Sequence, residues 1–315
     1  MSPSLRFPPA LVRPALRVLR RTAFDDTASW ARQRAIIGAV GRTTRVRPGT
    51  TVAITGPGGV AAEVITAPGA DRRRVLVHFH GGGYTTGVPA LCRAWASGVS
   101  AESGVTVVLP HYRLAPEAPA PAATDDARAV WDDLSATVPA ESIVVSGDSA
   151  GAGMALALTQ ALRVDGRPSP GGLILISPWL DLTADRRVSV ELVRRDCLLT
   201  PGWLEACVTA YAGNADPADP SLSPLFGSLA GLPPVLVQVG TDDLLIADAD
   251  RFVTRARSQD TEIIYTRVPG LWHDFPIQAG LVAAADRAVT QAAGFVIGLP
   301  AGGDHVAGRQ PDGVL

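Results

Sequence analysis

Short apolar segments that alternate with helical segments constrain the fold of this chain more than any other feature of its sequence. After Gly41, eight segments carry a strand pattern, at 51–54, 61–66, 75–79, 105–109, 143–146, 173–176, 235–239 and 263–268. Helical patterns occupy 89–102, 124–134, 150–164, 247–257 and 281–295. Nearly continuous apolar strands that alternate with helices are typical of a parallel sheet covered on both faces. The sequence therefore predicts an α/β fold, with an antiparallel pair of strands at its N-terminal edge.

Three segments lie outside this alternation. Apolar residues at helical spacing in 11–40, interrupted near 24–27, predict two short helices that form either a packing arm or a cap over an active site. The stretch 181–233 has no strand pattern but has helical spacing at 188–199 and 203–211. An insertion of this length inside a compact fold usually serves function, as a lid or a binding loop. The polar, Gly-rich tail 301–315 is predicted to be flexible.

Length and composition limit the possible partners. A chain of 315 residues with 47% hydrophobic residues and a net charge of -2 can bury one sizeable core. It carries neither a strong basic excess nor an apolar run long enough to span a bilayer. We therefore expect a small-molecule partner, no nucleic acid and no stable membrane insertion.

The cysteines and the N-terminus bear on the cellular compartment. Cys92, Cys197 and Cys207 show no Cys-x-x-Cys spacing, so the sequence predicts free thiols and neither a disulfide framework nor a zinc site. The arginines near the N-terminus do not flank an uninterrupted apolar core of the kind found in signal peptides. Both observations favour a cytoplasmic protein.

A nucleophilic serine is predicted where the fifth strand segment ends. Residues 147–151, Gly-Asp-Ser-Ala-Gly, follow a strand and precede an alanine-rich helix. A Gly-x-Ser-x-Gly sequence at a strand–turn–helix junction exposes its serine on a sharp turn, and the flanking glycines leave room for that turn. Ser149 would lie at a helix N-terminus, where the helix dipole favours the negative charge that develops on an attacked carbonyl.

A second motif follows the third strand segment, at His80-Gly81-Gly82-Gly83-Tyr84. Consecutive glycines can form a simple flexible turn. In a hydrolase they can also direct two backbone N–H groups at one oxygen, and the N–H of Ala150 would supply a third donor. The two motifs together predict an oxyanion hole.

A base and an acid should follow the nucleophile in the chain. His273 and His305 do so, and because His305 lies in the polar tail, His273 is the predicted base. The segment after the seventh strand offers Asp242, Asp243 and Asp248 as the carboxylate that would orient the imidazole. We select Asp243, with Asp242 as the main competitor and Asp248 as a carboxylate at a helix start. His78, His80 and His111 precede the serine and are expected to make structural hydrogen bonds, without metal ligation.

Taken together, the motifs resemble the hormone-sensitive-lipase-like bacterial esterases, the α/β-hydrolase fold-3 family. The resemblance rests on five features in the expected order: His80–Gly83, Tyr112–Glu117 (Tyr-Arg-Leu-Ala-Pro-Glu), Gly147–Gly151, Ser177-Pro178-Trp179 with Asp181, and His273 after Gly270. Many relatives have Asp-Pro-Leu where this chain has Asp243-Leu244-Leu245.

The resemblance implies a mostly parallel eight-stranded sheet flanked by helices, with a helical cap. It divides the chain into N-terminal cap helices (1–45), an α/β-hydrolase catalytic domain (46–300) with a cap insertion at about 183–215, and the tail 301–315. It assigns the oxyanion hole to Gly82, Gly83 and Ala150. Supporting roles fall to His80, Gly81, Tyr84 and Asp148, and Tyr112–Glu117 would buttress the site. A homodimer is possible, because relatives often pair through an edge strand or a late helix.

The motifs thus predict a serine hydrolase with the triad Ser149, Asp243 and His273 that needs no metal or cofactor. The resemblance implies a carboxylesterase that hydrolyses short- to medium-chain acyl esters. Three alternatives stay open. The same site could cleave a lactone or an N-acetyl amide, which a substrate panel would separate from simple esters. A dehydratase on this scaffold can replace the nucleophile, whereas Ser149 is present, and a ligand-binding member typically loses the base, whereas His273 is present.

Overall fold

An eight-stranded sheet forms the centre of the protein, which we describe from a computed structural model covering residues 6–183 and 189–300, with only the backbone at Arg72. The strands are β1 Thr51–Thr55, β2 Ala62–Thr66, β3 Asp71–Phe79, β4 Val105–Pro110, β5 Ile143–Asp148, β6 Gly172–Ile176, β7 Val235–Gly240 and β8 Ile263–Val268. Their order is β1-β2-β4-β3-β5-β6-β7-β8. β2 pairs antiparallel with β1 and β4, and the other neighbours are parallel. The predicted mostly parallel sheet is confirmed.

Nine α-helices are assigned within the described ranges: α1 Pro9–Ala23, α2 Trp30–Thr43, α3 Arg93–Ser103, α4 Ala122–Ser135, α5 Ala150–Val164, α6 Val190–Arg195, α7 Pro201–Ala212, α8 Ile246–Arg257 and α9 Ala283–Gly298. Local chemistry fixes several of their ends. The Ser29 hydroxyl caps α2 by accepting from the Arg32 N–H, and the Thr200 hydroxyl caps α7 in the same way. α3 ends at Gly104, whose φ of 74° is a left-handed conformation that glycine adopts without steric cost.

Helices cover both faces of the sheet because its central strands are apolar on both sides. In β3, Val75, Val77 and Phe79 belong to one core cluster and Leu76 belongs to the other. Helices α4, α5 and α8 contribute to the first cluster, and α3 and α9 contribute to the second. Alternate residues of a strand point to opposite faces, so a continuous apolar run buries both faces of the sheet.

The insertion between β6 and β7 departs from the predicted helix at 188–199. Helix α6 ends at Arg195, and the next residue, Asp196, turns the chain because its side chain accepts the N–H groups of Leu198 and Leu199. A carboxylate that satisfies backbone donors locally competes with continuation of a helix. The predicted helix was therefore too long at its C-terminal end, and Val188 at its other end lies outside the described residues.

The N-terminal helices pack against this insertion. Trp203 of α7 donates its indole N–H to Gln33 of α2 at 2.9 Å, and its ring contacts Phe24 edge-on with centroids 4.8 Å apart. Of the two interpretations of the N-terminal segment, these contacts favour a cap. The predicted flexible tail 301–315 lies outside the described residues. Over 6–183 and 189–300, no helix is both long enough and apolar enough to cross a bilayer.

Candidate active site

Ser149 stands on a sharp turn between β5 and α5. It has φ 53° and ψ -119°, a conformation that is rare for a residue with a side chain. The turn requires close backbone contacts on both sides. A Cβ on Gly147 would lie 2.2 Å from the carbonyl carbon of Gly151, and one on Gly151 would lie 1.9 Å from the Phe79 oxygen. The two glycines that the motif predicts are therefore needed for packing.

The glycine loop after β3 lies beside this turn because β3 and β5 are paired in parallel, with Phe79 opposite Gly147. Gly82 and Gly83 have φ values of 113° and 60°, which orient the loop backbone in a way that other residues rarely adopt. Within the described part of the chain, the N–H groups of Gly82, Gly83 and Ala150 make no hydrogen bond. Three free donors near Ser149 fit the arrangement expected for an oxyanion hole.

Asp148 ties the glycine loop to the serine turn. One of its carboxylate oxygens accepts the Gly81 N–H at 2.9 Å, and the other lies 2.9 Å from Nε2 of the buried His78. These contacts outweigh the cost of burying the carboxylate, so the pKa of Asp148 lies below its usual value. Asp148 is expected to stay ionised and to hold both motifs in register.

Aromatic rings support the loop from the side of the core. The His80 ring stacks on Tyr112 with centroids 4.3 Å apart, its Nδ1–H donates to the Gly81 oxygen, and the Tyr112 hydroxyl donates to the His80 oxygen at 2.6 Å. Burial lowers the pKa of His80 to about 4, which keeps the ring neutral. Tyr84 stacks on Tyr211 of α7 at 3.8 Å. The predicted structural roles of these side chains agree with their contacts.

The predicted acid and base lie on neighbouring loops. Asp243 follows β7, His273 follows β8, and Asp243 Oδ1 is 3.0 Å from His273 Nδ1. The two loops are joined by a hydrogen bond from the Asp242 N–H to the Leu271 oxygen. A buried carboxylate on Nδ1 orients the ring and stabilises its protonated form, as an acid–base pair requires.

The two competing carboxylates have other partners. Asp242 Oδ2 accepts from Arg13 at 2.5 Å, and its Oδ1 lies 3.7 Å from Arg195. Asp248 lies in the first turn of α8, as predicted, and accepts the N–H groups of Leu180 and Asp181. Of the three candidate carboxylates, Asp243 therefore contacts His273, whereas Asp242 contacts arginines and Asp248 contacts backbone N–H groups.

The other nitrogen of His273 has an unpredicted partner. Nε2 lies 3.1 Å from Oδ2 of Asp274, the next residue in the chain. The Ser149 hydroxyl has no hydrogen-bond partner in the ranges 6–183 and 189–300. Sequence reasoning missed Asp274, although its position directly after the predicted base was a signal that could have drawn attention to it. The roles of Ser149, His273 and Asp243 stay predictions that these contacts support.

A cleft of about 1430 Å³ opens above these residues. Ser149, His273, Asp274 and Gly82 lie among its walls. Apolar side chains from the N-terminal helices and the insertion make up much of the rest, including Val12, Leu16, Leu19, Leu198, Leu199 and Trp203. The cleft can hold a ligand with a large apolar portion next to the serine.

In the described part of the chain, one group of potential metal ligands lies at the wall of the cleft, which Cys92 and Asp148 line. Donor atoms of His78, Cys92 and Asp148 all lie within 4.8 Å of one another. Both ring nitrogens of His78 are already hydrogen-bonded, one to Ser146 and the other to Asp148. Hydrogen bonds within the serine turn therefore account for this cluster. The three cysteines are free and buried.

The chain is similar in sequence and in fold to several known proteins. A family model described as the alpha/beta hydrolase fold matches residues 76–277. LipR of Mycobacterium tuberculosis is 32% identical over 309 residues, which cover 97% of this chain and 98% of that protein. An acetyl-hydrolase of Streptomyces hygroscopicus is 34% identical over 278 residues, 88% of each chain. The crystal structure of an esterase from the bacterial hormone-sensitive lipase family superposes with a TM-score of 0.87 at 30% identity, covering 94% of this chain and 98% of that one.

Proposed function

The chain belongs to the α/β-hydrolase fold-3 family, within the hormone-sensitive-lipase-like group of bacterial esterases, and we propose that it is a serine carboxylesterase acting on short- to medium-chain acyl esters. Its similarity to esterases and to a carboxylic ester hydrolase identifies it as a carboxylic ester hydrolase. The proposal adds the residues that carry the reaction and the size of the acyl group.

The proposed reaction is acyl transfer in two steps. His273 takes the proton of Ser149 while the serine oxygen attacks the ester carbonyl, and the imidazolium then protonates the departing alcohol. A water molecule, activated by the same imidazole, releases the acyl group. Asp243 holds the Nδ1–H of the ring and stabilises its positive charge. The N–H groups of Gly82, Gly83 and Ala150 bind the oxyanion, where each donor contributes about 3 kcal/mol to transition-state stabilisation.

One observation carries this proposal. The hydrogen-bonded pair Asp243 and His273 and the strained Ser149 turn come from three separate loops at the same edge of the sheet. Strands β5, β7 and β8 run in parallel, so their carboxyl ends lie at this edge, where ligands bind in open α/β sheets. Ser149 and His273 also line one cleft. This convergence is what acyl transfer requires.

The walls of the cleft support an apolar substrate. Leucine, valine and tryptophan side chains of the cap helices face the space next to Ser149. Burial of each methylene of a chain in such a space contributes about 0.8 kcal/mol to binding. An acyl chain of several carbons would therefore bind more tightly than acetate, up to the length that the cleft accepts.

A second candidate is an acetyl esterase with a bulky alcohol. The related Streptomyces protein is named an acetyl-hydrolase. A cleft of about 1430 Å³ far exceeds the needs of an acetyl group, so on this reading the alcohol portion would occupy most of it. An N-acetyl amide would fit the same space.

The first experiment is hydrolysis of p-nitrophenyl esters from acetate to decanoate by the wild type and by Ser149→Ala. We expect kcat/KM to peak between butyrate and octanoate and turnover to fall at least about 10⁴-fold in the variant. Ser258→Ala is the matched control, because Ser258 is exposed at the end of α8. Turnover that survives in Ser149→Ala would exclude the proposed mechanism.

Acetyl substrates separate the two candidates. Naphthyl acetate and p-nitroacetanilide keep the acetyl group and change the alcohol or the bond. A preference for naphthyl acetate over all longer acyl chains would favour the second candidate, and cleavage of the anilide would indicate amide hydrolysis.

A further inference from the structure

His273 lies between two carboxylates. Asp243 Oδ1 is 3.0 Å from Nδ1, and Asp274 Oδ2 is 3.1 Å from Nε2, the nitrogen that a serine hydrolase uses to accept the proton of its nucleophile. The ring is buried, with 3% of its surface exposed. One proton must lie between Nε2 and Asp274 at this distance, because two lone pairs would otherwise face each other. The base is thus engaged on both sides while Ser149 is free.

Asp274 is fixed through its backbone and not through its carboxylate. Its N–H donates to the Ser177 hydroxyl at 3.0 Å, and its φ of 54° is a left-handed conformation. Oδ1 is buried and has no hydrogen-bond partner in the described part of the chain, and Oδ2 contacts His273 only. The side chain lines the cleft next to Ser149. A ligand that enters the cleft can therefore displace the carboxylate without moving the loop.

The groups around this pair are mainly acidic. Asp148 faces Asp274 from the serine turn, Asp243 faces both residues from the β7 loop, and Asp196 faces His273 from the insertion. The neutral thiol of Cys92 faces Asp274 from the side of α3. The neighbouring Asp242 on the β7 loop is bound to Arg13 of α1.

These surroundings favour retention of a proton. Burial, together with Asp148 and Asp243, raises the pKa of Asp274 to about 8 against the opposing effect of His273. Burial alone would lower the pKa of His273, but Asp274 and Asp243 outweigh it and raise that pKa well above its usual value. Near neutral pH the pair therefore holds a proton that an isolated histidine would have released.

From this geometry we infer that Asp274 is a positioning residue that holds Nε2 of His273 in the resting enzyme and frees it for Ser149 when an ester enters the cleft. The inference rests on the proposed function, since it assigns His273 the role of base. When the carboxylate moves aside, the shared proton passes to solvent, and the neutral ring faces the serine. The Ser149 O–H bond then breaks, an N–H bond forms at Nε2, and that proton later passes to the leaving alcohol.

The test is the pH dependence of kcat/KM for p-nitrophenyl butyrate in the wild type and in Asp274→Asn. In the wild type, imidazolium persists to higher pH, so the acid limb is expected above the ordinary histidine pKa of about 6.5. An asparagine amide has no charge to stabilise imidazolium, so the acid limb should shift down by at least about one unit. The ratio of kcat/KM at pH 6 to that at pH 8 would then rise at least about fivefold.

The matched control is Asp133→Asn, the same chemical change at an exposed position of α4. Its acid limb should coincide with that of the wild type. An acid limb in Asp274→Asn that coincides with the wild type would overturn the inference. If Asp274→Asn does not fold, Asp274→Gly is the second variant, because asparagine and glycine both tolerate the left-handed backbone.

A measurement without turnover separates this inference from the proposed function. The ring nitrogens of His273 can be titrated by NMR in labelled protein and assigned by comparison with His273→Gln. A midpoint that falls by at least about one unit in Asp274→Asn supports the inference even if Ser149→Ala remains active and the proposed function fails. An unchanged midpoint overturns the inference even if Ser149→Ala is inactive.

Discussion

Three aspartates at three different positions decide how His273 is held. Asp243 and Asp274 contact the ring itself, whereas Asp196 acts through the backbone. Asp196 Oδ2 accepts the N–H of Leu244, the residue after Asp243, at 2.8 Å. Burial, together with Asp243, raises the pKa of Asp196 to about 6. A carboxylate of the insertion thereby fixes the loop that carries the proposed acid.

The choice between the two candidate acids can be tested by substitution. Asp243→Asn keeps the shape of the side chain but removes the charge that stabilises imidazolium and fixes its tautomer. We expect kcat for p-nitrophenyl butyrate to fall roughly 10⁴-fold, with little change in melting temperature. Steady-state kinetics and thermal melting followed by circular dichroism check both parts.

Asp242→Asn is the comparison, since it makes the same change one residue away. Its contacts are with Arg13 and Arg195 and not with His273, so a loss of less than about tenfold is expected. A larger loss in Asp242→Asn than in Asp243→Asn would reverse our assignment of the acid.

At the scale of elements, helix α1 holds the loops of the site together. Arg13 donates to the Arg195 oxygen at the end of α6 at 3.1 Å, to Asp242 after β7 at 2.5 Å, and to the Gly270 oxygen after β8 at 2.6 Å. Two turns further along, Arg20 donates to the oxygens of Val193 and Asp196. Cations at the C-terminal carbonyls of α6 also complement its dipole. A helix at the start of the chain therefore positions both the acid loop and the base loop.

Arg13→Ala should therefore impair the reaction through loop position. Its hydrogen bonds involve a charge and contribute about 1.5 to 3 kcal/mol each, so kcat/KM is expected to fall tenfold to roughly a hundredfold, mostly in kcat. Arg13→Lys should recover only part of the loss, since an ammonium group does not have the forked donors of guanidinium.

Arg21→Ala is the matched control for this prediction. Arg21 is exposed on the same helix and makes no hydrogen bond or ion pair in the described ranges. Equal kinetic effects of Arg13→Ala and Arg21→Ala would show that α1 influences the reaction only through general stability.

At the scale of the whole molecule, the cleft is assembled from segments far apart in the chain. Leu16 comes from α1, Gly82 from the loop after β3, Leu199 from the insertion and Ile277 from the segment before α9. Each element can bury its apolar face only against the others. Specificity for the length of the acyl chain is therefore a property of their assembly and of no single motif.

Leu16→Trp should narrow the cleft at a position distant from the reacting groups. We expect kcat/KM for p-nitrophenyl octanoate to fall at least about tenfold, because loss of space for a chain costs roughly 1 to 3 kcal/mol per methylene displaced. The rate with acetate should change less than about threefold. The p-nitrophenyl ester series measures both.

Val18→Trp is the control on the same helix, since Val18 is 62% exposed and does not line the cleft. A chain-length profile that is the same in Leu16→Trp and in the wild type would contradict the proposed position of the acyl chain.

The sequence by itself determined the fold class, the strands and the order of the motifs, because these depend on local patterns. Strand β8 and helix α5 have the predicted limits, and most other elements differ by a few residues at their ends. The Gly-x-Ser-x-Gly turn could be predicted from its local spacing. Gly147 is required by a contact with Gly151, four residues away, whereas Gly151 is required by a contact with Phe79 on a neighbouring strand. Helix α6 was predicted too long, since nothing in the spacing of apolar residues showed that the Asp196 side chain would turn the chain.

Only the tertiary structure decided which charged groups meet. Asp242 and Asp243 are adjacent and chemically identical. In the structure their side chains leave the β7 loop in different directions, so Asp242 contacts Arg13 and Asp243 contacts His273. The contacts of Arg13 with Asp242 and of Asp196 with Leu244 have no local signal, because each joins residues more than forty positions apart in the chain. Asp274 was visible beside His273, but its contact with Nε2 depends on a left-handed backbone and on burial among other carboxylates. Local patterns specify elements, whereas pairing between side chains depends on the three-dimensional position of each loop.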